Sequence, residues 1–151
     1  MNFPLPIVAR AQPEPRSAYI GFYDIKTRWS DNDVYGHVNN VVYYSWFDTA
    51  VNGLLIERGA LDMHTGTTVG LVVQTQCDYF SPLAFPEDIV AGIRVAHVGA
   101  SSVRYEVAIF PSNPTLMCAA KGHFVHVYVD RTTRKPTTLP TSLIFILETL
   151  K

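Results

Sequence analysis

Val41-Val42-Tyr43-Tyr44-Ser45-Trp46-Phe47-Asp48-Thr49-Ala50-Val51-Asn52-Gly53-Leu54-Leu55-Ile56 is the stretch that decides the fold. It contains no proline, and Ser45, Asp48, Thr49 and Asn52 recur at three- and four-residue spacing. On a helix these four make one narrow polar stripe, with apolar side chains elsewhere. The pattern predicts a helix buried nearly all round. Asn39 or Asn40 suits its N-cap, and Gly59 suits the C′ position after Glu57-Arg58.

Toward the N-terminus, Tyr19, Tyr23, Ile25 and Trp29 alternate with Asp24, Lys26 and Arg28, which predicts a half-buried strand. Residues 1–18 hold Pro4, Pro6, Pro13 and Pro15 and read as an extended, loosely held lead-in. The single domain is then expected over 19–151. Toward the C-terminus, strands are expected up to about Asp130. Val69, Leu71, Val73, Thr75, Cys77 and Tyr79 form one alternating set. Ile89 to Val95, Val103 to Ile109, and Leu116 to Val129 give three more. Thr141 to Leu150 reads as a short closing helix, with an edge strand as the alternative. Only the first connection holds a helix, so most of the sheet should be an antiparallel meander, curved over it. The fold class is α+β.

A chain of 151 residues is one ordinary domain. With 48% apolar and 17% charged residues it is too apolar to be disordered. Twelve Lys and Arg against thirteen Asp and Glu argue against a nucleic-acid surface. No apolar run reaches membrane-spanning length, so no membrane is expected. Cys77 and Cys118 lack zinc spacing, and no metal is expected. Ala9-Arg10-Ala11 imitates a cleavage site. The segment before it is short, proline-broken and not basic, so a signal peptide is rejected and the cytoplasm expected.

Chemistry concentrates in Arg28-Trp29-Ser30-Asp31-Asn32-Asp33-Val34-Tyr35-Gly36-His37-Val38-Asn39-Asn40, which leads into the helix. A helix start leaves unpaired N–H groups and partial positive charge, suited to a polarised carbonyl. A carboxylate beside them can activate water or attack the carbonyl. The alternative is that Asp31 and Asp33 only satisfy turn and cap N–H groups.

This stretch, with Val42-Tyr43-Tyr44-Ser45-Trp46-Phe47-Asp48 after it, resembles the signature of hotdog-fold acyl-CoA thioesterases, in the 4-hydroxybenzoyl-CoA thioesterase-like branch. Gly122-His123-Phe124-Val125-His126-Val127-Tyr128-Val129-Asp130, with Arg134-Lys135-Pro136 and Leu139-Pro140, resembles that family's last long strand. The likeness covers roughly residues 19–140. It implies a long helix wrapped by five or six antiparallel strands. It implies Asp33 as nucleophile or general base, and the backbone N–H of Asn40 or Val41 as the carbonyl-polarising group. It implies an acyl-CoA substrate, with acyl carrier protein as another carrier, and a homodimer or homotetramer. No separate cofactor is implied, because coenzyme A belongs to the substrate.

Tyr35, Gly36, His37, Asn39, Asp48, Thr67 and Thr68 are the substrate-binding candidates. Asp31 reads as structural. Gly36 suits a positive φ or a close backbone approach. His37 either bonds a loop carbonyl or lines the pocket. Asn39 and Asn40 are first of all caps, and Asp48 either holds a water or partner group or is a satisfied buried Asp. Coenzyme A phosphates need cations. Gly99-Ala100-Ser101-Ser102 lacks the basic cluster some relatives carry there, which leaves Arg104, Arg131, Arg134 and Lys135. Asp31 with His37 superficially matches a hotdog hydratase or dehydratase, and a non-catalytic acyl-binding protein is a further alternative. His123 and His126, three apart on a strand, should face opposite sides and hold no metal together.

Overall fold

The structure, a computed structural model, describes residues 9–151; the first eight residues of the expected lead-in lie outside the described residues. Strand β1 (Gly21–Ile25) is followed by helix α1 (Val42–Glu57), then β2 (Thr68–Tyr79), β3 (Ile89–Val98), β4 (Ser102–Pro111), β5 (Ala120–Asp130) and helix α2 (Thr141–Glu148). The sheet has five strands in the order β1-β3-β4-β5-β2, every neighbouring pair antiparallel. β1 and β2 are therefore its two edges, and α1, which joins them, crosses one face of the sheet. This is the expected α+β hotdog arrangement, with a short second helix closing the chain.

The core lies between α1 and the sheet. Tyr43, Trp46, Phe47, Ala50, Val51, Leu54 and Leu55 of α1 are buried. They meet Ala91, Ile93 and Val95 of β3, Val103, Tyr105, Val107 and Ile109 of β4, and Phe124 and Tyr128 of β5. These are the apolar halves of the alternations in each strand. Gly122 lets helix and strands approach: a Cβ there would sit 2.9 Å from Phe47 and 1.7 Å from the Gln76 carbonyl oxygen.

Several expectations need correction. α1 is not buried nearly all round: Ser45, Asp48, Thr49, Ile56 and Glu57 are exposed, so the polar stripe faces outward. Trp29 is not on β1. It opens a short 3-10 turn (Trp29–Asp31) and is 83% exposed. The alternation along β2 breaks at a bulge between Val72 and Gln74. Gly70 lies against the rings of His126 and Tyr128 on the helix side, whereas Gln76 and Asp78 face the cavity on the other side. One extra residue reverses the facing of everything before it, so Leu71 and Val73 do not join the core and are exposed. β5 begins at Ala120, and Leu116 and Met117 lie in an exposed loop.

The lead-in is not loosely held from Glu14 onward. Glu14 is tied to Cys118 twice, its N–H donating to the Sγ side-chain atom at 3.3 Å and its carbonyl accepting from the Cys118 N–H at 2.9 Å. Arg16 donates to the Pro111 carbonyl at 2.6 Å. Tyr19, Ala108, Phe110 and Cys118 then form a second small core on the sheet's outer face.

Candidate active site

The loop between β1 and α1 is tied down by Asp31, which is fully buried. Its carboxylate accepts the Arg28 backbone N–H at 2.7 Å and two guanidinium N–H groups of Arg28 at 3.0 and 2.8 Å. Its carbonyl accepts the Asn39 N–H at 2.9 Å. The far side of the loop is fastened to the β2–β3 connection. Asn32 Oδ1 accepts the Phe85 N–H at 3.0 Å, and Val38 N–H donates to the Leu83 carbonyl at 2.8 Å.

Within this frame Asp33 sits on a tight turn. Its N–H donates to the His37 carbonyl at 2.9 Å, and its carbonyl accepts the Gly36 N–H at 3.1 Å. Gly36 has φ of +81°, and no atom lies within 4 Å of where its Cβ would be. The positive φ is one of the two expected reasons for glycine, and the open space beside it lies on the cavity that Asp33 also lines. Asp33 Oδ1 accepts the Tyr35 N–H at 2.8 Å. Oδ2 has no hydrogen-bond partner among the described residues, and a carboxylate oxygen so placed can accept a proton or attack.

Asp33 lines a cavity of about 640 Å³ with Trp29, Asn32, Val34, Tyr35, Gly36 and Asn39. The wall is largely apolar and exposed: Trp29, Val34 and Tyr35 are 83%, 93% and 85% accessible. Trp29 is braced edge-on by Phe85, with ring centroids 6.1 Å apart. His37 and Asn40 line a neighbouring hollow of about 310 Å³ with Val38, Tyr43, Tyr79, Phe80, Ser81 and Pro82. The His37 side chain is exposed. It makes no hydrogen bond among the described residues; only its backbone carbonyl is engaged.

The helix start differs from the expected cap. α1 begins at Val42, and Asn39 Oδ1 accepts the Val41 N–H at 3.1 Å while the Asn39 carbonyl accepts the Val42 N–H at 3.0 Å. The N-cap position is therefore Val41, with no side-chain capping bond, rather than Asn39 or Asn40, and Asn39 closes a turn just ahead of the helix. The Val41 N–H is consumed by it, and the Asn40 N–H has no acceptor among the described residues.

The remaining candidates lie elsewhere in the chain. Asp48 is exposed on α1, and its Oδ1 accepts from Asn52 at 2.9 Å. Thr68 opens β2, and the Thr67 carbonyl accepts the Arg131 N–H at 2.8 Å. The Arg131 guanidinium braces the preceding loop through the carbonyls of Met63 and His64. Arg134 stands at φ of +61° just after β5, with Lys135 beside it. Arg104 shares an outer-face cavity with Glu14, Asp78, Arg94, Glu106, Lys121 and His123. Within one chain none of these four cations lines the Asp33 cavity. His123 faces that outer cavity, and His126 is buried in the core, on opposite sides as expected.

Trp29, Asn32 and Val34 went unread as cavity residues. Trp29 fitted the preceding strand's alternation, and no pattern marks a residue that merely stands exposed beside a turn.

A profile for the thioesterase-like superfamily matches residues 27–146. The chain belongs to that superfamily. In three dimensions it is similar to the PA5185 protein of Pseudomonas aeruginosa strain PAO1, at 51% identity and a TM-score of 0.89, over 93% of this chain and 97% of that one. It shares its fold with the 1,4-dihydroxy-2-naphthoyl-CoA thioesterase Slr0204 of Synechocystis, at 17% identity and a TM-score of 0.74, over 83% and 93% of the two chains. Among curated proteins, YsmA of Bacillus subtilis (strain 168) is 26% identical over 90 residues, and the match spans 60% of each chain. Among the described residues of this superfamily member, no helix is long and apolar enough to cross a membrane.

Proposed function

We propose that this chain hydrolyses acyl or aryl thioesters of coenzyme A, with Asp33 as the reacting carboxylate. The observation that carries the reading is that Asp33 Oδ2 and the Asn40 N–H, which flank Asn39 in the chain and line adjoining hollows, both lack a hydrogen-bond partner among the described residues. Membership of the thioesterase-like superfamily supports it.

The Asn40 N–H donates to the thioester oxygen and stabilises the negative charge that grows there. Asp33 either attacks the acyl carbon or takes a proton from a water that attacks it. In both routes a C–O bond forms, the C–S bond breaks, and the thiolate leaves and is protonated. On the first route the single water of hydrolysis then cleaves the acyl-aspartyl anhydride, giving the free acid and restoring the carboxylate. Coenzyme A enters and leaves as part of the substrate, and no other cofactor takes part. Acyl carrier protein is the alternative carrier.

The apolar walls Trp29, Val34 and Tyr35 suit the acyl or aryl part. The exposed Leu71, Val72 and Val73 on edge strand β2 support a homodimer, or a tetramer built from it. A hydratase reading loses its base, because Asp31 is buried and fully engaged by Arg28.

Free-thiol release from acetyl-, octanoyl-, palmitoyl-, benzoyl- and phenylacetyl-CoA tests the proposal. Turnover of at least one, with a graded preference by chain or ring, is expected. No release from any of them, nor from the matching acyl carrier protein thioesters, refutes it.

A further inference from the structure

The first turn of α1 is held from both directions around Asn40. On one side, the Asn39 carbonyl accepts the Val42 N–H at 3.0 Å, and this carbonyl belongs to the same peptide unit as the Asn40 N–H. On the other side, the peptide unit after Asn40 is pinned twice. Its N–H, that of Val41, donates to Asn39 Oδ1 at 3.1 Å. Its carbonyl, that of Asn40, accepts a hydrogen bond from Tyr79 Oη at 2.8 Å. Tyr79 is the last residue of β2, at the opposite edge of the sheet from the strand that leads into this loop.

This long-range bond comes from a side chain that is 39% exposed and packed on one side. The Tyr79 ring meets Tyr43 edge-on, with centroids 5.1 Å apart and planes at 88°. Burial, with Cys77 and Tyr44 close by, pushes its hydroxyl well above the usual phenol range, so the group stays a donor across working pH.

Resting on the thioesterase reading above, we infer that Tyr79 is a positioning residue of the reaction: by holding the Asn40 carbonyl it fixes the direction in which the Asn40 N–H is presented to the thioester oxygen. Without the hydroxyl, the peptide unit between Asn40 and Val41 keeps only its bond to Asn39 and can rock about the Asn40 Cα. The neighbouring N–H then has to reorient as charge develops, which forfeits preorganisation. Substrate binding does not need that alignment, so the loss belongs to the chemical step.

Tyr79→Phe keeps the ring and its contact with Tyr43 and removes only the donor. It is compared with wild type and Asp33→Asn on the best thioester of the panel, with kcat and KM measured separately and thermal melts in parallel. The expected result is a kcat roughly tenfold lower, the scale of one lost hydrogen bond, with KM within about twofold and a melting temperature at most a few degrees lower. A Tyr79→Phe kcat within twofold of wild type, while Asp33→Asn is crippled, overturns the role of Tyr79 and leaves the thioesterase reading standing. A raised KM at unchanged kcat overturns it as well, because Tyr79 then contributes to binding instead. Wild type and Asp33→Asn that are equally inactive bring down the thioesterase reading, and the inference with it.

Discussion

Gly36 shows how closely the Asp33 carboxylate depends on local backbone. The turn closes because residue 36 takes φ of +81°, with open space where a side chain would project. An L-residue there costs about 1 kcal/mol through backbone conformation alone. Gly36→Ala is therefore expected to lower stability by about that amount in urea melts. It should lower kcat further, because the turn that carries Asp33 must open to relieve the strain. Gly36→Asn, which tolerates the left-handed region better, should recover part of both losses. Equal activity of wild type and Gly36→Ala would contradict the link between this turn and the carboxylate. The glycine was legible in the sequence as a choice between two reasons, and the dihedral bears out the positive φ. Asn40 and Val41 were legible in the same way, as alternatives. The difference between them is one hydrogen bond, donated by the Val41 N–H to the Asn39 side chain, which no spacing rule encodes.

At the scale of elements, β4 and β5 bury a polar cluster beneath the helix. Tyr105 and Tyr128 hydroxyls lie 2.8 Å apart, and His126 Nδ1 lies 3.3 Å from the Tyr128 hydroxyl. The rings of Phe124, Tyr105 and Tyr128 surround His126 at 4.8 to 5.7 Å. Burial pushes the His126 imidazole down to about 4, so it is neutral in the folded chain at neutral pH. In the unfolded chain it titrates near 6.5. Between these values the unfolded chain binds more protons. The stabilisation is therefore fully present above pH 6.5 and is lost as the pH falls toward 4, by up to roughly 3 kcal/mol. Urea titrations from neutral to mildly acid pH should show this slope in wild type, and a shallower one in His126→Gln. Equal slopes would contradict it. The strands themselves were legible because apolar and polar residues alternate with a period of two. β2 was misread because a bulge is one residue of register, and a sequence carries no mark of where pairing slips. The helix was read correctly in place and length, but its exposed stripe was underrated, since apolar content alone does not say how much of a helix the sheet can cover.

At the scale of the whole molecule, the two edges of the sheet differ. β1 is short, whereas β2 is twelve residues long and exposes Leu71, Val72 and Val73. A long apolar edge seeks pairing, and the account predicts a homodimer, or a larger even assembly, by light scattering at micromolar concentration. Val73→Lys should shift the population toward monomer. A wild type that is monomeric under those conditions would contradict the proposed assembly. The expected coenzyme A cations lie on β4 or after the end of β5, none of them on the Asp33 cavity. Sequence composition could nominate them but could not say which end of the sheet they occupy.

The most direct test of the central claim is the kcat of Asp33→Asn on the best thioester of the panel. Asparagine can still accept the Tyr35 N–H, so the turn and the fold should persist, with circular dichroism and melting close to wild type. The account predicts a kcat at least about 100-fold lower, the low end for loss of a positioned acid–base group. A folded Asp33→Asn that turns over at near wild-type rate would remove Asp33 from the mechanism.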